Sequence, residues 1–231
     1  MASAMIKIFG DSADLEEMHS MSKKVQGWTT NPTLMRKAGV RNYRAFAQRV
    51  LHSFPEYPIS FEVFADELPH MEAQAREIDT WGENVYVKIP VVNTKGFSTA
   101  RLITDLASAG IKVNVTAVMC YKQIDEVMGA LLEAPAIVSI FAGRIADTGR
   151  SPIGIVEHAV KRKVNVAHQI LWASPRQVLD VYTADSIGCD IITITKDILQ
   201  KMKLEGKNLI EYSRETAEMF YNDARAAGYS I

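Results

Sequence analysis

One lysine interrupts an otherwise apolar run, Val85-Tyr86-Val87-Lys88-Ile89-Pro90. In a strand, successive side chains alternate faces, so Tyr86 and Lys88 share one face while Val85, Val87 and Ile89 share the other. If the valines pack on helices, Lys88 points into the fold. An amine held there is partly desolvated, which lowers its pKa and yields the neutral form that attacks a carbonyl carbon and makes a Schiff base. The competing reading is a lysine that snorkels at a strand end or pairs with a carboxylate such as Glu62. Asp11 and Glu62 are the acid/base candidates. Cleaving a carbon–carbon bond beside a hydroxyl needs a base for the hydroxyl proton, and forming the Schiff base needs a group that moves protons through water. For Asp11 the alternative is the N-cap of the following helix, in Gly10-Asp11-Ser12-Ala13-Asp14, although Ser12 could cap instead.

Two arginines suggest an anion. Arg144 and Arg176, with Ser139 and Ser174, have the donors for a phosphate, and guanidinium binds phosphate through two parallel hydrogen bonds. The alternative is a pair of solvated arginines at helix ends, with Asp147 pairing with Arg144. Further polar residues end other strand candidates: Thr29-Thr30-Asn31, Asn114 with Thr116, and on the eighth strand Thr193 and Thr195.

These residues need elements to hold them. Short β-branched runs alternate with longer amphipathic stretches throughout the chain. The strand candidates are Ile6–Gly10, Gly27–Thr30, Ile59–Val63, Val85–Ile89, Ile111–Thr116, Ile137–Phe141, Asn165–Leu171 and Asp190–Ile194. Helical patterns lie between them, such as Leu68–Trp81, Thr99–Ala109, Lys122–Leu132 and Pro175–Ile187, each long enough for a crossover between parallel strands. Gly110 and Gly188 stand where helix C-caps favour glycine. Eight strands at regular spacing, with no linker-like stretch, predict one α/β domain over residues 1–231. It is a closed (β/α)8 TIM barrel rather than an open doubly wound sheet. In such a barrel the strand ends listed above converge on one rim. An extra C-terminal helix, Leu209–Ala227, carries Leu209, Ile210, Tyr212, Ala217, Met219, Phe220 and Tyr221. A stripe of that kind must fold back over the barrel mouth or dock on a neighbouring subunit, and a homo-oligomer is expected.

Composition narrows the class. The chain has 231 residues, 48% of them hydrophobic, enough for a core without metals or disulfides. A net charge of -1 with no long run of one sign gives no footprint for nucleic acid or an anionic membrane. Lys161-Arg162-Lys163 reads as a solvated helix end. No stretch approaches the roughly 18 apolar residues a membrane span needs. Neither GxxxxGK[ST] nor GxGxxG occurs, and the five histidines lack ligand spacing, so neither cofactor nor metal is expected. Cys120 and Cys189 form no CxxC pair, which fits a reduced, cytoplasmic setting. The start, Met1 to Lys7, shows no signal peptide, and Met5 could be the original start.

The motifs Phe9-Gly10-Asp11-Ser12-Ala13, Trp28-Thr29-Thr30-Asn31-Pro32-Thr33-Leu34, Val87-Lys88-Ile89-Pro90, Asn114-Val115-Thr116, Phe141-Ala142-Gly143-Arg144-Ile145 and Ala173-Ser174-Pro175-Arg176 occur in that order. As a set they resemble the transaldolase family, in particular its small members, which include fructose-6-phosphate aldolase. The resemblance implies the transfer of a dihydroxyacetone unit between phosphorylated sugars, as in the pentose phosphate pathway. It puts the Schiff base on Lys88 and the acid/base role on Asp11. Glu62 and Thr116 would work through a water, and Asn31 would orient the ketol unit. Arg144 and Arg176, with Ser174, would take the phosphate. It also implies a C-terminal helix that packs on the next protomer to form a pentameric ring, with rings pairing into decamers. Transaldolases resemble this chain in having glutamate at Glu62 and phenylalanine at Phe141, where fructose-6-phosphate aldolase tends to carry glutamine and tyrosine. A tyrosine hydroxyl there would help protonate the retained carbanion and release free dihydroxyacetone, so Phe141 favours transfer. The chain departs from the pattern at Ile140, at Pro175 and in the loop Asp147-Thr-Gly-Arg150-Ser-Pro152, which touches the shape of the phosphate pocket. Two other functions compete: a lyase using the same lysine, and a non-catalytic sugar-phosphate binder, which would have no use for a buried Lys88.

Overall fold

The computed structural model describes residues 6–131 and 133–231. Met5 and Leu132 therefore lie outside the described residues. Eight strands run in order around a closed, all-parallel barrel. They are β1 (Lys7–Asp11), β2 (Trp28–Thr29), β3 (Ile59–Glu62), β4 (Val85–Pro90), β5 (Val113–Val118), β6 (Ala136–Ile140), β7 (His168–Trp172) and β8 (Ile191–Ile194). The α-helices are α1 (Leu15–Met21), α2 (Pro32–Lys37), α3 (Tyr43–Ser53), α4 (Leu68–Asp79), α5 (Ala100–Ser108) and α6 (Tyr121–Ala130). They continue with α7 (Ala142–Asp147), α8 (Ile153–Arg162), α9 (Leu179–Ser186), α10 (Lys196–Lys201) and α11 (Leu209–Ala226).

Each strand serves two cores because its side chains alternate. The outward residues Trp28, Phe61, Val85, Val87, Ile89, Val113 and Val115 join Phe46, Val50, Met71, Ile103 and Leu106 of the surrounding helices in one large cluster. Inside the barrel, Phe9, Ile137, Leu171, Ala173 and Ile191 form a separate small cluster, with Tyr86 and Phe141 packed against it. Burying apolar side chains on both faces is what a parallel sheet covered by helices requires. Close approach fixes two glycines: a Cβ on Gly10 would lie 2.2 Å from the Trp28 ring, and one on Gly27 2.5 Å from Phe9.

Most boundaries shift by a residue or two, and three elements shift further or as a whole; local hydrogen bonds explain two of these. The seventh strand begins at His168, not Asn165, because the Asn165 side chain accepts from the Ala167 N–H and turns the chain. The helix expected from Pro175 begins at Leu179. The Asp180 carboxylate instead takes the N–H groups of Arg176 and Gln177 at 2.6 and 3.2 Å. The fifth strand spans Val113–Val118 rather than Ile111–Thr116, and its register with β6 shifts between Val115 and Val118. Ala117, inside this bulge, takes φ of 60°. That conformation costs a non-glycine residue roughly 1–2 kcal/mol. Among the described residues no helix is long and apolar enough to cross a membrane.

Candidate active site

A cavity of about 570 Å³ opens at the carboxyl ends of the strands, and β4 delivers Lys88 to it. Val85, Val87 and Ile89 are fully buried against the helices, so the alternation turns Lys88 inward. Its Nζ lies 3.1 Å from Glu62 Oε2 and donates to the Thr30 carbonyl oxygen at 3.1 Å. The pair follows from the register, since Glu62 on β3 stands opposite Lys88. The two readings of this lysine thus coincide: it is paired with Glu62, and the pair lies inside the cavity.

Asp11 ends β1 in the same cavity. It is not the cap of α1; Asp14 is, accepting from the Glu17 N–H at 3.0 Å, while Ser12 Oγ accepts from the Asp14 N–H. Burial pushes the Asp11 carboxyl above its ordinary value, and the nearby Lys88 charge and the Thr29 hydrogen bond only partly oppose that. Thr116, on β5, also lines the cavity, and its buried hydroxyl has no hydrogen-bond partner among the described residues. A group of this kind is satisfied by water or ligand. Lysine, two carboxylates and a hydroxyl can bind a carbonyl covalently and shuttle protons around it.

The flanking residues divide. Asn31 caps α2 through Oδ1, which accepts from the Leu34 N–H at 2.9 Å, and it lines the cavity. Thr30 does not: its hydroxyl donates to the Ser60 carbonyl, and only its own carbonyl touches Lys88. The cavity-facing member of that threonine pair is Thr29, because Trp28 and Thr30 face the helices. Asn114 likewise sits below the cavity, not in its lining. Its Nδ2 donates to Ser60 Oγ at 2.9 Å, and its Oδ1 accepts from Ser139 Oγ at 2.7 Å. Ser139 is thus tied to Asn114 on the barrel wall, and it lines the same cavity as Arg144 and Arg176.

At the other side of the mouth, Arg144, Ser174 and Arg176 share the lining. Arg144 lies over the Phe141 ring, 5.5 Å from its centroid. Asp147 pairs with Arg176 rather than with Arg144, Arg176 Nε donating to Oδ1 at 3.1 Å, and this holds the Asp147 carboxyl below its ordinary value. Gly143 and Ser174 explain how the two loops meet: a Cβ on Gly143 would lie 1.5 Å from the Ser174 carbonyl oxygen, and Ser174 itself takes φ of 58°. Among the described residues no three histidine, cysteine or carboxylate side chains come together to hold a metal. Sequence reasoning missed Ser60 and the spatial need for Gly143, and it left Thr29 and Thr193 without roles. Alternation along β8 was the available signal for Thr193; along β2 it did not choose between the adjacent Thr29 and Thr30.

A closed eight-stranded (β/α)8 barrel thus carries a lysine–carboxylate pair at the carboxyl rim of its strands. The chain belongs to the transaldolase/fructose-6-phosphate aldolase family, whose model matches residues 8–230. It is 34% identical over 201 residues to a probable transaldolase of Dehalococcoides mccartyi, covering 85% of this chain and 90% of that protein. With a probable transaldolase of Methanococcus maripaludis it shares 31% over 204 residues, 85% of this chain and 89% of that one. Solved structures share the fold. 3-Keto-L-gulonate-6-phosphate decarboxylase from Vibrio cholerae superposes with a TM-score of 0.60 at 9% identity, over 84% of this chain and 89% of that one. The protein is a transaldolase-type enzyme.

Proposed function

We propose that this enzyme transfers a dihydroxyacetone unit from a ketose phosphate to an aldose phosphate through a Schiff base on Lys88. The observation that carries this is Lys88 itself, buried at the base of the cavity, 3.1 Å from Glu62 and facing Asp11. Lys88 passes a proton to Glu62 across their 3.1 Å contact, and the freed amine adds to the ketose C2 carbonyl as a nitrogen proton moves to the C2 oxygen. Glu62, through a water shared with Thr116, supplies the proton with which the C2 hydroxyl leaves as water. Asp11 then takes the C4 hydroxyl proton, the C3–C4 bond breaks, and its electrons move to the iminium nitrogen as the aldose phosphate departs. An incoming aldose phosphate reverses these steps, taking back the proton from Asp11. Arg144 and Arg176, beside Ser174, would hold the phosphate that both sugars carry. The donors fitting this scheme are sedoheptulose 7-phosphate and fructose 6-phosphate, with glyceraldehyde 3-phosphate or erythrose 4-phosphate as acceptor, a reaction of the pentose phosphate pathway. Incubation with fructose 6-phosphate, with and without erythrose 4-phosphate, tests it. Sedoheptulose 7-phosphate formed only with acceptor is the expected product, and free dihydroxyacetone released in both cases would establish a lyase instead.

Two variants bear on this reading. Arg176→Ala should raise KM for phosphorylated substrates by the equivalent of about 1.5–3 kcal/mol, the loss of one charge-assisted contact. Normal binding of fructose 6-phosphate by this variant would move the anion site elsewhere. Phe141→Tyr combined with Glu62→Gln should raise the share of free dihydroxyacetone, because a new hydroxyl can protonate the enamine carbon before an acceptor arrives. Unchanged product ratios would place the control of transfer in other residues.

Assembly is the second part of the proposal. No residue of α11 is buried against the described residues, and Leu209 and Ile210 are each 79% exposed. The proposal is that another copy of the chain covers this apolar stripe, in a pentameric ring or decamer; the exposure of α11 supports it. Light scattering should give a mass several times 25.7 kDa for the intact protein and a smaller assembly after truncation at Lys207. A monomeric mass for the intact chain at micromolar concentration overturns this.

A further inference from the structure

We propose that Thr193, acting through Thr29, holds Asp11 in the ionised and oriented state from which it accepts a proton, so that both threonines are positioning residues of the reaction. The proposal rests on Asp11 being the base described above. Thr29 Oγ1 donates to Asp11 Oδ1 at 2.8 Å, and the same oxygen lies 2.6 Å from Thr193 Oγ1. A hydroxyl has one hydrogen to give. With Asp11 ionised, Thr29 spends its hydrogen on the carboxylate, so the Thr29–Thr193 bond runs from Thr193 to Thr29. The chain then has one direction: Thr193 to Thr29 to Asp11.

The barrel explains why these three meet. β1 is flanked by β8 on one side and β2 on the other, with Thr193 opposite Phe9 and Thr29 opposite Asp11. Each of the three adjacent strands therefore sends one polar side chain inward, and both threonines are buried. Hydrogen bonds in series and away from bulk water polarise one another, so the Thr193 hydroxyl strengthens the donation from Thr29.

Two consequences follow for Asp11. Its Oδ1 is engaged throughout turnover, which leaves Oδ2 to take the substrate hydroxyl proton and to return it to the oxygen of the incoming aldehyde. No rotation of the carboxyl group is needed between the two transfers. Its ionised form also depends on the relay. The charged groups that face Asp11 are Lys88 from β4, Glu62 from β3 and Glu17 from α1; burial and the two glutamates raise its pKa, and Lys88 and the Thr29 bond lower it. Without the threonines, Lys88 alone opposes the rise.

The test is the pH dependence of kcat/KM together with the titration of the Asp11 carboxyl by NMR, in wild type, Thr193→Val, Thr193→Ser and Thr29→Val. The acid limb and the carboxyl pKa should both move up, by roughly one unit in Thr29→Val and by a fraction of that in Thr193→Val. At pH below the limb kcat should fall while KM for the ketose phosphate stays nearly constant, and Thr193→Ser should return both curves toward wild type. An Asp11 titration and acid limb unmoved in Thr193→Val overturn the proposal. Should Thr193→Val fold poorly, Thr193→Ala decides in the same way. Full activity in Asp11→Asn would remove the base reading instead, and the NMR titration would still report whether the threonines hold the carboxylate.

Discussion

Lys88→Met should lose turnover by on the order of 10⁴-fold or more, because the substituted side chain keeps the volume but has no amine to form the covalent intermediate. The loss should be specific to chemistry. Wild-type protein treated with borohydride in the presence of fructose 6-phosphate should carry a reduced three-carbon or hexose adduct on the Lys88 peptide and be inactivated. Lys88→Met should carry none. Removing the ammonium also leaves Glu62 without its partner at 3.1 Å, and stranding a partly buried carboxylate is destabilising. Lys88→Arg is therefore the necessary companion: it keeps a cation beside Glu62 yet cannot form the Schiff base. If Lys88→Arg folds with wild-type stability and is as inactive as Lys88→Met, the defect is chemical. A wild-type Lys88 peptide recovered unlabelled with activity retained would end the Schiff-base mechanism.

Asp11→Asn should lower kcat by about 10² to 10⁴-fold, the usual contribution of a positioned acid/base, and at the same time make the protein more stable at neutral pH. The second effect comes from burial, which raises the Asp11 pKa above 3.8 in the folded chain. A group raised in this way favours the folded state when protonated; that contribution is present below the unfolded value and disappears as pH rises through the folded one. At pH 7 the ionised carboxylate thus weakens the fold, and asparagine, neutral at every pH, removes the penalty while its Oδ1 can still accept from Thr29. The gain should shrink as pH falls toward 4, where aspartate is itself becoming protonated. Urea unfolding of both proteins at pH 7 and near pH 4 measures this. A variant less stable than wild type at pH 7 would show that the Lys88 and Thr29 interactions outweigh desolvation. Unchanged turnover would move the base to another residue.

Local periodicity in the sequence determined the eight strands, their parallel order and the inward turn of Lys88. Each of these depends only on alternation along one strand and on the length between strands. The same alternation identifies the ends of β1, β3, β4 and β5 as carriers of Asp11, Glu62, Lys88 and Thr116. It fails where two polar residues are adjacent: Thr29 and Thr30 are equally polar, and only the register of β2 between β1 and β3 turns Thr29 to the cavity and Thr30 to the Ser60 carbonyl. It fails also where partners come from different loops. Asp147 stands three residues from Arg144, yet its carboxylate meets Arg176, 29 residues away, because the loops after β6 and β7 press together at Gly143 and Ser174. Nothing in the spacing of Ser60, Asn114 and Ser139 announces that they form one hydrogen-bonded row across β3, β5 and β6. Nor does it announce that Thr193 reaches Asp11 through Thr29. Such contacts are set by closure of the barrel, which fixes the stagger between strands, and a one-residue change of stagger would send every one of these side chains to the opposite face.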